Sequence, residues 1–379
     1  MTIDSLTLVI SAILILLAFI TPMMSPFFRR IRQQQVAPNP TPPPITVLLV
    51  CNGDHVALDE HLPIYLTQKY TPGYQVVVVT EKSDIESENV LKRYLNDDKK
   101  LYHTFVPESA RYMSKNKLAI TLGTKAANNE WIILTDPRNK PTNSLWLESM
   151  GQHMTDDNSM ILGYSNYSEE AKPFHRFEHL YTALYLLREA QNGRAYRTNS
   201  QYVAFRKSEF LKRNGFQEYL KYSIGEYDFL TNKYGSSSTI EIATEENSRL
   251  VENPVSEKTW QNRQVYFHEV GRHLEGGMMV RVLQSVDQLF LHLFNLSAIA
   301  VALFAGFTSR WVLLGASVFA YLLAAVFRTL NAKKATGQFG VKIAWWKLFF
   351  FDCSILWQHF LTQLRYEYAD KNDFISHKV

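Results

Sequence analysis

Asp136 and Arg138 flank Pro137 just past the apolar run 131–134, in the string ILTDPRNKP. A carboxylate at such a place can hold Mg2+ or Mn2+ through one oxygen and several waters. A guanidinium two residues on would be repelled by that metal, yet it can fork on diphosphate oxygens by itself. An aspartate before proline can also shape a turn and bind nothing. Neutralisation of a ligand's charge by a divalent cation, by Arg138, or by neither all stay open at this point. A second acid, Glu226, opens the cluster GEYD at 225–228. It can act as general base on a hydroxyl, or sit as a solvated acid favoured by a helix N-terminus. Asp228 suits capping or pairing better than reaction. Lys117, Arg272 and His273 could face phosphate oxygens, although lone basic residues on helices are commonly solvated. The string HEVGRH at 268–273 invites a zinc reading, which fails on spacing. Zinc-binding histidines of that kind stand four apart on one helix face, whereas His268 and His273 are five apart, about 140° around the helix.

These residues need elements to place them. Short apolar runs at 45–50, 74–79, 103–106 and 131–134 have the buried-strand pattern. Helical patterns at 55–69, 85–95 and 117–127 alternate with them. That alternation predicts an α/β fold with a mixed, mostly parallel sheet sandwiched by helices. Ligands in such sheets sit at the C-terminal ends of the strands. Asn52, Glu81 and Asp136 all fall just past a strand end, on one rim. Asn52-Gly53-Asp54 could contact a nucleoside or make a turn. Later strands are expected at 160–164, 201–206 and 239–243. Later helices are expected at 177–190, from 208, at 223–234 and at 260–273.

Two regions have membrane character. Residues 6–24 carry no charge, and roughly 20 such residues cross a hydrocarbon core. A cleaved signal would want a basic start and a small-residue cleavage site; Asp4 and Pro22-Met23-Met24 favour a retained anchor. Arg29, Arg30 and Arg32 follow, which places the downstream side in the cytoplasm. Runs 289–307 and 311–327 form a hairpin of spans, with Arg281 before it and Arg328, Lys333 and Lys334 after it. The apolar stretch 343–364 is broken by Lys347, Asp352, Gln358 and His359. With Trp345, Trp346 and Trp357 it reads as a helix lying on the membrane. The expected organisation is a transmembrane anchor (1–28), a Pro-rich linker (29–44), the α/β domain (45–280), a helical hairpin (281–335), and an interfacial helix with polar tail (336–379). The α/β domain would face the cytoplasm at the inner membrane.

Composition narrows the partners. With 40 Lys and Arg against 36 Asp and Glu, scattered along the chain, there is no basic stripe to track a nucleic acid. Two cysteines far apart in sequence, Cys51 and Cys353, argue against a disulfide framework and fit a reducing compartment.

From 45 to 273 the chain resembles membrane-anchored glycosyltransferases of family 2, which have the Rossmann-like GT-A fold. ITVLLVCNGD resembles the first strand and donor loop, and LYHTFVPESARYMSKNKLAITLGTKAA the segment before the fourth strand. EWIILTDPRNKPTNSLWL resembles the Asp-x-Asp strand with its trailing Pro and Trp. AYRTNSQYVAFRKSEF resembles the acceptor-side strand, GEYDFLTNK the acidic motif that supplies the base, and KTW with HEVGRH the Gln-x-x-Arg-Trp region in a variant ending Arg-His. The sequence departs from the family at polar positions. Thr80-Glu81 stands for paired aspartates, Asp136-Pro137-Arg138 for Asp-x-Asp, Glu226 for an aspartate and Glu269 for a glutamine. The resemblance implies inverting transfer from a nucleotide-diphospho-sugar to a lipid-linked or membrane-proximal glycan, in contact with membrane lipid, as in polysaccharide biosynthesis. Glu226 would be the base. Asn52, Glu81, Lys117, Asp136, Arg138, Arg272 and His273 would lie on the donor side, Asp228 and Glu269 on the acceptor side, with a divalent cation (Mg or Mn) at Asp136. The altered Asp-x-Asp motif also admits a catalytically impaired relative that binds a partner enzyme or a glycan.

Overall fold

A computed structural model describes residues 4–29, 31, 39–95, 98–107, 114–235, 240–370 and 374. Half of the expected linker, Thr239, the stretch 108–113 and most of the polar tail lie outside the described residues. The chain runs α1 (Ser5–Met24), β1 (Ile45–Val50), α2 (His55–Leu66), β2 (Tyr74–Glu81), α3 (Ile85–Leu95), β3 (Leu101–Val106), α4 (Lys115–Ala126) and β4 (Trp131–Thr135). It continues through β5 (Asn139–Pro141), α5 (Trp146–His153), β6 (Met160–Gly163), β7 (Ser165–Tyr167), α6 (Pro173–Gln191), β8 (Tyr202–Arg206) and α7 (Lys207–Lys212). It ends with α8 (Glu226–Gly235), β9 (Ile240–Ala243), β10 (Leu250–Glu252), α9 (Glu257–Gly271), α10 (Met278–Phe307), α11 (Trp311–Gln338) and α12 (Trp345–Tyr368). Contacts group these into two units, Met1–Ile31 with Lys172–Tyr185 and Gly277–Leu361, and Arg32–Ala171 with Leu186–Gly276 and Thr362–Val379. The boundary therefore falls inside α6 and α12.

The second unit is built on a seven-stranded sheet in the order β3-β2-β1-β4-β8-β6-β9. Its strands pair in parallel except β8, which runs antiparallel to both β4 and β6. The α/β reading with a mostly parallel sheet between helices holds. Strands β1, β2 and β4 are runs of Val, Ile, Leu and Thr buried on both faces, as a covered parallel sheet requires. Register aligns Leu49 with Thr135 and Val50 with Val79, so these strands end level and make one rim. A three-stranded sheet, β5-β10-β7, was not expected from sequence. Its strands have three residues each, too short for any periodicity to show.

Several bounds shift for identifiable reasons. Helix α2 stops at Leu66 rather than 69, because Thr67 Oγ1 and Gln68 Nε2 donate to the carbonyls of Pro63 and Ile64 (2.8 and 3.0 Å). Strand β8 begins at Tyr202, because the Gln201 carbonyl accepts from Thr135 Oγ1 (3.0 Å) and Asn139 Nδ2 (3.2 Å) instead. Helix α8 begins at Glu226, because Gly225 is left-handed at φ +84°. A Cβ there would also lie 2.7 Å from Val270, so only glycine fits.

In the first unit, α1, α10 and α11 are long and apolar enough to cross a membrane. Asp4 caps α1, accepting from Thr7 N at 2.9 Å. Arg328 of α11, read from sequence as a cation flanking the hairpin, is fully buried. Its Nε donates to Asp352 Oδ2 of α12 (2.6 Å), its Nη2 to Asp287 Oδ1 of α10 (2.9 Å) and its Nη1 to the Thr21 carbonyl of α1 (2.8 Å). Tyr181 of α6 donates to the other Asp287 oxygen (2.9 Å). The guanidinium thus ties four helices, and Asp287 brings in α6 as the fifth. The pairing crosses elements far apart in sequence, which no local pattern reveals.

Candidate active site

The rim formed by β1, β2 and β4 carries the first group of expected residues. Asp136 and Arg138 close on each other. Asp136 Oδ1 accepts from the Arg138 backbone N and Nε, and Oδ2 from Nη2, each at 2.9 Å. Burial alone would raise the Asp136 carboxyl, but the Arg138 charge and hydrogen bonds outweigh it and hold it below the usual carboxylate range. Asp54, from the turn after β1, lies 3.3 Å from Arg138 Nε; burial raises its carboxyl against the pull of Arg138. The turn is braced from behind. His61 Nδ1 meets the Pro137 carbonyl at 2.7 Å, and Tyr65 donates to the Asn139 carbonyl at 2.7 Å. Arg263 of α9 pairs with Glu252 of β10 at 2.5 Å, so the small sheet supports this corner. Asn52 is exposed in the turn after β1. Glu81 meets Lys115 Nζ at 2.5 Å.

The start of α4 links that rim to Glu226. Next to Lys115, Asn116 donates from Nδ2 to Glu226 Oε1 at 2.9 Å. The other oxygen, Oε2, is buried and accepts no hydrogen bond among the described residues. Burial drives the neighbouring Tyr227 hydroxyl well above its ordinary pKa, and the charges of Asp136 and Glu226 add to this, so one phenol feels both acids. Lys117 is fully buried and lies behind the site. Its Nζ donates to the carbonyls of Tyr222 (2.7 Å) and Ile224 (2.8 Å) and lies over the Phe229 ring. Burial lowers its amine to about 8, with Glu226 pulling the other way. Its place is to hold the loop that presents Glu226, rather than to reach toward a ligand.

A second cluster joins the end of α9. His273 stacks on Tyr222 at 4.4 Å and shares a hydrogen bond with Glu269 at 2.9 Å. Tyr366 of α12 donates to Glu269 (2.8 Å) and accepts from Arg272 Nη1 (2.6 Å). Burial tends to raise Glu269, yet His273 and Tyr366 together hold it below the usual range. The acid in this cationic place is therefore matched by its neighbours. Asp228 stands apart, forked by Arg197 at 2.6 and 3.2 Å in a buried pair, with the Arg197 guanidinium 3.2 Å from the Phe267 ring centroid.

The structure thus joins Asp136 with Arg138, and Arg272 with His273 and Glu269; Glu226 is reached through α4. Sequence reasoning missed Asn116, Lys115, Arg197 and Tyr366. Only the first two had a local signal, standing next to Lys117 in SKNK. Among the described residues no three His, Cys, Asp or Glu side chains gather as for a metal ion. The Asp136 carboxylate already accepts one hydrogen bond from the Arg138 backbone N and two from its guanidinium, which would repel a cation, so this donor set does not fit a divalent metal.

No family model matches the chain, and no curated protein does. Among solved structures, a mannosyltransferase from Pyrobaculum calidifontis, in complex with GDP-Man and Mn2+, is similar over 95% of this chain and 99% of its own, with TM-score 0.55 and 17% identity. At that identity the likeness shows a shared fold.

Proposed function

We propose that the chain is an inverting glycosyltransferase of the GT-A, family 2 kind, moving a sugar from a nucleotide-diphospho-sugar to a lipid-linked or membrane-proximal glycan. The observation that carries this reading is the Glu226 carboxylate, with Oε1 held by Asn116 and Oε2 buried and unpartnered. An acceptor hydroxyl placed at Oε2 gives up its proton there as its oxygen attacks the anomeric carbon and the nucleoside diphosphate leaves on the opposite side. Gly225 and Lys117 fix the loop and so aim the base. Arg272, with His273 beside it on the donor side, supplies positive charge for the leaving group, Arg138 adds to it where it can be drawn off Asp136, and no step needs a metal.

Glu226→Gln keeps shape and removes the basic site. Turnover is expected to fall about 10²-fold or more, with nucleotide-diphosphate binding retained. Unchanged turnover would move the base elsewhere. The closed Asp136–Arg138 fork favours one alternative, a catalytically impaired relative that binds a partner enzyme or glycan. Calorimetric titration of nucleoside diphosphates with and without Mn2+ separates the two, since no binding at millimolar concentration would leave the impaired reading standing.

The sugar nucleotide would be met in the cytoplasm at the inner membrane, with domain limits 1–28, 29–44, 45–280, 281–335 and 336–379. Arg29, Arg281, Lys333 and Lys334 support that orientation; Arg328, being buried, no longer does. Ser144 is exposed, so Ser144→Cys should resist impermeant thiol reagents on intact cells, and labelling from outside would reverse the topology.

A further inference from the structure

The helical unit contains a cavity of about 150 Å³ that the sugar-transfer reading does not use. It is lined by Phe27, Arg29 and Ile31, which follow α1, by Leu184 of α6, and by Asn331 and Lys334 of α11. Phe27 and Ile31 are buried, and Phe27 packs on Phe177 at 5.2 Å and Tyr181 at 5.9 Å, so the apolar wall is rigid. Arg29 comes shortly after α1 ends at Met24, and Lys334 shortly after the uncharged run of α11 ends at Phe327. Arg29 follows α1 and Lys334 lies near the end of α11, so both cations sit by the ends of helices able to cross a membrane. Among the described residues no Asp or Glu lines the cavity, and Lys334 is exposed with no ion-pair partner.

We propose that this cavity binds the phosphate of an anionic phospholipid headgroup. Two cations and the Asn331 amide suit phosphate oxygens, while Phe27, Ile31 and Leu184 suit the first carbons of the glycerol and acyl chains. Size decides against a sugar nucleotide. Sites that enclose small molecules have about 300–1,000 Å³, so 150 Å³ takes a headgroup whose chains stay in the bilayer but not a sugar nucleotide. Juxtamembrane cations draw anionic lipid to such a place. The inference is independent of the sugar-transfer reading and stands or falls without it.

The test uses the full chain purified in a neutral detergent, with thermal unfolding as readout. Dihexanoyl phosphatidylglycerol should raise Tm in a saturable way, while dihexanoyl phosphatidylcholine and inorganic phosphate should not. Arg29→Ala and Lys334→Ala should each weaken the apparent affinity about five-fold, as expected for one cation near an anionic lipid surface, and the double variant about 25-fold. Lys333→Ala, an exposed neighbour outside the cavity, should leave it unchanged. Equal stabilisation by phosphatidylcholine, saturation by inorganic phosphate alone, or an equal loss in Lys333→Ala would overturn the proposal.

Discussion

Arg138 and Arg328 are both arginines engaged by aspartate, and the difference between them separates a site from a joint. Arg138 has Asp136 in a fork and Asp54 at 3.3 Å, with side-chain exposure of 24% for itself, 13% for Asp136 and 42% for Asp54. Arg328 also has two carboxylates, and a carbonyl, but with side-chain exposure of 0% for itself and Asp287 and 2% for Asp352. A diphosphate can compete with the Asp136 fork for a partly exposed guanidinium, because a bidentate phosphate contact equals what it replaces. Nothing can reach Arg328 to compete. The same pair of residue types therefore serves binding in one place and helix assembly in the other, and accessibility decides which.

The sharpest way to break this contrast is Arg328→Met. It leaves Asp287 and Asp352 buried without a counter-charge, and breaking a buried pair in this way costs about 3–5 kcal/mol. Thermal unfolding of the purified chain should show that loss. Adding Asp287→Leu and Asp352→Leu should recover much of it. A mild single variant would mean that Arg328 does not join the helices. Next in size is His153, which is buried in the sheet unit but titratable. Burial alone would lower its pKa, yet hydrogen bonds to Glu241 and Glu245 at 3.1 Å raise it to about 9. A histidine raised in the folded state contributes fully below its unfolded pKa of about 6.5 and loses that contribution as pH climbs toward 9. Stability on the order of 3 kcal/mol should disappear across that window, and His153→Gln should flatten the pH profile there. The smallest effect tests the fork itself. Arg138→Ala should weaken nucleoside-diphosphate binding by about 1.5–3 kcal/mol, and Mn2+, inert toward the wild type, should restore part of it through the released Asp136. Unchanged affinity in calorimetry would make the fork a second structural joint.

What the sequence revealed follows how local each feature is. Strand β1 and helix α3 have the bounds that their patterns predict, because the apolar period and the flanking turns lie within a dozen residues. Strands β5, β7 and β10 were invisible, since three residues carry no period and their pairing spans about a hundred positions. Glu226 was found at the head of its helix, but Asn116, which orients it, lies in another element. Arg328 looked like a flanking cation because charge in a sequence says nothing about burial. Lys117 was placed near phosphates on the same reasoning, and its carbonyl partners come from a loop about a hundred residues downstream.

Tyr366 bears on the order in which the site can be made. It links Arg272 to Glu269, yet about 90 residues lie between it and His273. A ribosome adds about 5–20 residues per second, so the anion cluster waits roughly 5–20 s for its last member. During that interval the nascent chain has its sheet and its base but an unclamped arginine. A segment cut at 280 would keep it in that state permanently.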